Sequence, residues 1–210
     1  MQITNLYKKF LFSFFSVLFT CASAQALSLH KTSVILDAPW GMTWFDENHL
    51  LITQKSGEIF MVNTQDYSQT PIKHNIPSVQ YGQGGMLDII SEENNVWVTC
   101  SIEKDGKHTT AIYHAELSGD SLINEKKIYE ALPYIKSPYH FGSRLELKGD
   151  YLYASIGERG EGMIAQDPTN SIGTITRIHK NGDIPDDNPY VDNPNWLPEI
   201  YQIGVRNPQG

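Results

Sequence analysis

The chain has 210 residues, 40% of them hydrophobic and 19% charged, and its 24 acidic side chains outnumber 16 basic ones, for a formal net charge of −8. An acidic chain of this kind argues against nucleic acid as a partner, because it repels phosphate rather than gripping it. The length suits one domain, or part of a larger one, with a core large enough to need no covalent staples.

Lys8 and Lys9, an apolar run from Phe10 to Phe19 broken only by serines, and Ala22-Ser23-Ala24 form the pattern of a secretory signal peptide over residues 1–24. The apolar run is too short to span a bilayer, so no stable membrane insertion is expected after cleavage. A lipoprotein signal at Cys21 and an uncleaved anchor are weaker readings of the same residues. Cleavage after Ala24 removes two lysines and no acid, and leaves Cys100 without a partner for an intrachain disulfide. The location implied is periplasmic or secreted.

From residue 25 onward the pattern is strand and turn, without an amphipathic helix of any length. Trp40–Phe45, a turn at Asp46–His49, Leu50–Thr53, a turn at Lys55–Glu58 and Ile59–Val62 make a first unit. The same order returns in Gly85–Ile90, Glu92–Asn95, Val96–Cys100, Lys104–Lys107 and Thr110–Ala115. A third copy runs through Ser143–Leu147, Gly149-Asp150, Leu152–Ile156 and, after an insertion, Gly173–Ile178, with a closing turn at Lys180–Asp183. Each unit holds a strand, an acidic or Asn-rich turn, an aliphatic strand ending in Thr or Ser, a turn and a strand. This recurrence predicts an all-β propeller of four-stranded antiparallel blades, about three in this chain plus the start of a fourth. A β-sandwich also fits short strands with turn signals, but does not explain the recurrence.

The third unit carries chemistry at one end. A turn at Gly149-Asp150 pairs two strands and brings His140, before the first, near Glu158, after the second. A carboxylate that orients an imidazole prepares a general base. An ordinary packed histidine and an ordinary Glu-Arg turn are the plain readings of the same residues.

Pro39-Trp-Gly-Met, Gly82-Gln-Gly-Gly-Met-Leu-Asp, His140-Phe-Gly-Ser-Arg-Leu, Ile156-Gly-Glu-Arg-Gly, Gln166-Asp-Pro, Gly173-Thr-Ile-Thr-Arg-Ile, Gly182-Asp-Ile-Pro-Asp-Asp-Asn-Pro and Gly204-Val-Arg-Asn-Pro-Gln-Gly follow one another in order. On these motifs the chain from about Pro39 to Gly210 resembles the soluble, pyrroloquinoline-quinone (PQQ) dependent aldose sugar dehydrogenases, or glucose/sorbosone dehydrogenases. The resemblance implies a six-bladed propeller with PQQ at one end of its channel. It also implies oxidation of the anomeric C1 hydroxyl of an aldose to the lactone, with electrons passed on to an external acceptor.

Carried over position by position, His140 is the general base, Glu158 its acidic partner in place of the usual Asp, and Arg206 polarises the quinone oxygen. Gln83, His140, Arg206 and Asn207 contact the cofactor. Val205 stands where a His is common. Residue types fit: PQQ has three carboxylates and an ortho-quinone, which call for cationic and amide donors. Calcium bridges PQQ to the protein through a segment expected beyond Gly210, so no metal ligand is assigned in this chain. The chain is accordingly expected to be the N-terminal part of a longer protein, inactive and poorly stable alone, since an open propeller leaves strands unpaired.

His30, His49, His74, His108, His114 and His179 show no metal spacing and read as surface or turn residues. Asp186-Asp187-Asn188 with Asp192 lacks the spacing of an EF-hand and reads as a solvated loop. A non-catalytic propeller acting as a binding module is the alternative function. A lactonase-type hydrolase is weaker, for want of an acidic metal cluster.

Overall fold

The computed structural model describes residues 28–209. The expected signal peptide and cleavage site, residues 1–24, lie outside the described residues. By its contacts the chain divides into Met1–Lys31 and Thr32–Gly210, and every strand lies in the second unit.

Among the described residues, twelve strands form three four-stranded antiparallel sheets, each an up-and-down meander. The first holds β1 (Pro39–Trp44), β2 (His49–Gln54), β3 (Ile59–Asn63) and β4 (Gln69–Ile72). The second holds β5 (Met86–Glu92), β6 (Asn95–Lys104), β7 (Lys107–Ser118) and β8 (Ser121–Glu130). The third holds β9 (Gly142–Lys148), β10 (Tyr151–Ile156), β11 (Thr174–His179) and β12 (Ile200–Ile203). β1 packs beside β5 and β5 beside β9, so the first strand of each sheet is the innermost. These are consecutive blades of a propeller, the fold expected from the recurrence.

Alternation along the middle blade shows how the blades stack. Val96, Val98 and Cys100 of β6 pack with Leu51, Ile59 and Ile72 of the first sheet. Trp97, between them in sequence, points the other way and packs with Leu145, Leu152 and Ile178 of the third. β6 is therefore apolar on both faces, which is why its sequence reads as a continuous hydrophobic run. Each fully buried Leu or Ile contributes about 1.5–3 kcal/mol of hydrophobic stabilisation.

A polar stitch recurs between blades. Thr53, Thr99 and Ser155 of the second strands each accept the N–H of their own inner strand, from Gly41 at 2.9 Å, Asp88 at 2.8 Å and Arg144 at 2.9 Å. Each hydroxyl then donates to a carbonyl one blade further on, at Leu87, Ser143 and Pro208. All three hydroxyls sit at an irregularity in the pairing of first and second strands, where the inner strand carries one residue more. The segment after β12 thus occupies, through Pro208, the place that Leu87 and Ser143 hold in the preceding blades. This is the start of a fourth inner strand.

Two readings of the sequence are corrected. His108 is buried, with its ring stacked on Tyr81 at 4.1 Å between centroids, rather than lying on the surface. The 186–188 loop is only in part solvated: Asp186 and Asp187 are exposed, but Asn188 is buried, its Oδ1 accepts from Arg177 Nε at 2.6 Å, and its Nδ2 donates to the Arg177 and Pro198 carbonyls. Arg177 pairs with Asp187 as well.

Candidate functional site

The β9–β10 hairpin sets the site. Its register pairs Gly142 with Ile156, so His140 and Glu158 each lie two residues outside that pair, at one end of the sheet. The approach is close enough to dictate Gly157, where a Cβ would fall 2.0 Å from the His140 carbonyl oxygen. His140 itself has φ of 50° and Arg159 φ of 59°, left-handed values that non-glycine residues adopt only where surrounding contacts hold them.

His140 Nδ1 lies 2.5 Å from Glu158 Oε1, and the two side chains are 17% and 5% exposed. The carboxylate accepts, so in the neutral imidazole the proton sits on Nδ1 and the lone pair is left to Nε2. Burial would raise the Glu158 carboxyl, but the Gly162 N–H on Oε2 at 3.0 Å and the His140 contact outweigh it and hold the group below the usual carboxylate range. Arg206 Nε stands 3.7 Å from Glu158 Oε1, with its side chain 81% exposed. The Arg206 carbonyl accepts the Glu158 N–H at 2.8 Å, fastening the post-β12 segment to the hairpin end.

The two amide residues singled out in the sequence are brought to the same place. Gln83 Oε1 accepts the His140 N–H at 2.8 Å, and Asn207 Oδ1 accepts the Gly142 N–H at 3.0 Å. Each amide oxygen is thereby taken by the His140–Gly142 backbone, and its NH₂ makes no hydrogen bond among the described residues. His140, Glu158 and Arg206 line a cavity of about 520 Å³ together with Tyr139, Gly160, Gly162, Ala165, Gln166, Gly204 and Val205. That volume lies within the range of small-molecule and cofactor sites.

Sequence reasoning did not foresee the floor of this cavity, which comes from the insertion between β10 and β11 and its 3₁₀ turn, Gly162–Gln166. The glycines at 157, 160 and 162 were the available signal. Nor did it foresee that Arg159 is fully buried. Among the described residues no cluster of three or more His, Cys, Asp or Glu could hold a metal, and no helix is long and apolar enough to cross a membrane.

Comparison with known proteins agrees with the fold and the motifs. The Glucose / Sorbosone dehydrogenase family profile matches residues 36–210. The chain belongs to that family. It is 32% identical over 215 residues to aldose sugar dehydrogenase YliI of Escherichia coli (strain K12), covering 94% of this chain and 58% of that protein. It is 25% identical over 228 residues to quinoprotein glucose dehydrogenase B of Acinetobacter calcoaceticus, covering 90% of this chain and 47% of that one.

Among solved structures, the apo-form of the soluble aldose sugar dehydrogenase of Escherichia coli superposes with a TM-score of 0.78 at 32% identity, over 83% of this chain and 53% of that chain. The PQQ-bound form of aldose sugar dehydrogenase from Streptomyces coelicolor gives 0.70 at 23% identity, over 85% and 54%, a likeness of fold. The chain spans about half the length of these relatives.

Proposed function

We propose that this chain supplies part of the active site of a PQQ-dependent dehydrogenase that oxidises the anomeric C1 hydroxyl of aldose sugars to the lactone, acting in the periplasm or as a secreted protein. The observation that carries this reading is the His140–Glu158 pair at 2.5 Å, on the wall of a cavity that also presents Arg206. His140 Nε2 is the proton acceptor. Glu158 fixes the Nδ1–H tautomer, aims the ring into the cavity and stabilises the imidazolium that forms when Nε2 takes the sugar's proton.

The donor set suits PQQ, whose acidic and quinone oxygens need N–H partners. Arg206 offers an exposed guanidinium, and Gln83 and Asn207 offer the NH₂ ends left over once their oxygens hold the His140–Gly142 backbone. When bound, the quinone supplies the hydride acceptor that the protein's own side chains lack. Gly160 and Gly162 present no side chain to the cavity, so a flat group can lie close to the backbone there. Calcium belongs to the same reading as a bridge to the cofactor, with its ligands assigned to no residue of this chain, and an external acceptor takes the electrons onward. Residues 1–24 are the export signal in this account.

Steady-state oxidation of aldoses with an artificial acceptor, in a protein that carries this chain within a complete propeller and is supplied with PQQ and calcium, is the test. Turnover that depends on PQQ supports the reading. Saturable PQQ or sugar binding without turnover would instead favour the non-catalytic propeller, which has no use for the His140–Glu158 pair.

A further inference from the structure

We propose that Arg159 is a positioning residue: its guanidinium holds the Ser137 and Tyr139 carbonyls and the Phe141 ring, on either side of His140, and so sets where the His140 imidazole stands. This rests on His140 being the base of the proposed reaction. Arg159 is 0% exposed, yet no carboxylate among the described residues lies within ion-pair distance of its guanidinium. Its partners are carbonyls. Nε donates to Tyr139 at 2.9 Å, one terminal nitrogen to His108 at 2.7 Å, and the other to Ser137. Its own backbone N–H donates to the His140 carbonyl at 3.2 Å, and the guanidinium carbon lies 3.5 Å from the centre of the Phe141 ring.

One cation therefore touches residues 137, 139 and 141, on both sides of the histidine, while the Arg159 backbone N–H holds residue 140 itself. The conformation being held is one that needs holding, since His140 sits at a left-handed φ of 50°. A lysine cannot substitute, because a point ammonium lacks the planar fork that reaches three diverging carbonyls and lies flat on a ring. His108 joins the arrangement through its carbonyl and through its stack on Tyr81, which leads into the loop whose Gln83 accepts the His140 N–H. Burial lowers the Arg159 pKa only to about 10, so the group stays charged in neutral solution.

The test compares wild type with Arg159→Lys in three measurements. These are far-ultraviolet circular dichroism for the fold, ¹H–¹⁵N NMR of the His140 imidazole, and kcat, KM and PQQ affinity. The expected result is a folded variant whose His140 Nδ1–H signal is lost or broadened, whose kcat falls roughly a hundredfold, the scale of an ångström's misplacement, and whose KM and PQQ affinity stay within about threefold. A folded Arg159→Lys with the wild-type His140 signal and wild-type kcat overturns the proposal.

If that variant fails to fold, exchange of the Arg159 Nε–H in the wild type decides. Strong protection near neutral pH supports the clamp, and exchange as fast as that of an exposed arginine overturns it. The imidazole signal needs neither PQQ nor sugar. A complete-propeller wild type that oxidises no aldose with PQQ and calcium would therefore sink the functional reading while leaving this proposal to stand or fall on the NMR.

Discussion

Thr99 Oγ1 donates to the Ser143 carbonyl at 2.9 Å while accepting the Asp88 N–H at 2.8 Å, so a single buried hydroxyl ties the second strand of one blade to the first strand of the next. Thr99→Val keeps the shape and leaves both backbone groups buried without a partner. The expected loss is about 1–3 kcal/mol in urea unfolding, whereas Thr99→Ser, which keeps the hydroxyl, loses less. Equal stability of Thr99→Val and wild type would show that the stitch contributes nothing.

Glu158 should leave a mark on acid stability. Its folded pKa is depressed, so the stability it contributes is present above the pKa of the unfolded carboxyl and is lost as pH falls through the lower, folded value. Glu158→Gln removes that contribution. The Tm gap between wild type and variant should be widest near neutrality and shrink below about pH 4.3, the ordinary glutamate value. A gap that holds constant down to pH 3, in scans at fixed ionic strength, speaks against it.

Gly157 is fixed by space and not by dihedral preference, since a Cβ there meets the His140 carbonyl at 2.0 Å. Gly157→Ala must push the His140 and Glu158 loops apart. Overpacking of this kind costs about 1–3 kcal/mol, and the same displacement should lower aldose turnover together with Tm. Retention of both values would mean the two loops yield without consequence.

Much of this was legible because the repeat unit carries its own function. The Thr or Ser that follows the aliphatic run of each second strand, at 53, 99 and 155, is visible in the sequence and turns out to be the inter-blade stitch, although β6 runs on past Thr99 to Lys104. His140 and Glu158 could be placed at one end of the third sheet because a hairpin fixes register locally. The outermost strands of the first two blades could not be located, although four per blade were expected. Gln69–Ile72 contains Pro71, and Ser121–Glu130 is largely polar, so neither shows the alternation that a half-buried strand imprints. The burial of His108, Asn188 and Arg159 was hidden for another reason. Their partners are mostly backbone carbonyls and a stacked ring, contacts that no spacing of side chains announces.

Cys100 offers a check on the core that is independent of function. It is fully buried, and burial pushes its thiol up to about 12, so the reactive thiolate is scarce. Thiol reagents should leave it unmodified in the native protein and label it promptly in denaturant. Rapid labelling without denaturant would show that the first and second blades open readily.

The central claim is that His140 Nε2 takes the sugar's proton. The most direct measurement is kcat for aldose oxidation in His140→Ala alongside a PQQ titration of the same preparation. Turnover should fall by roughly a hundredfold or more, the usual scale for loss of a general base, while PQQ still binds through Arg206, Gln83 and Asn207. Glu158→Gln should fall by less, because the imidazole remains. Near-normal turnover in His140→Ala at full PQQ occupancy would contradict the account.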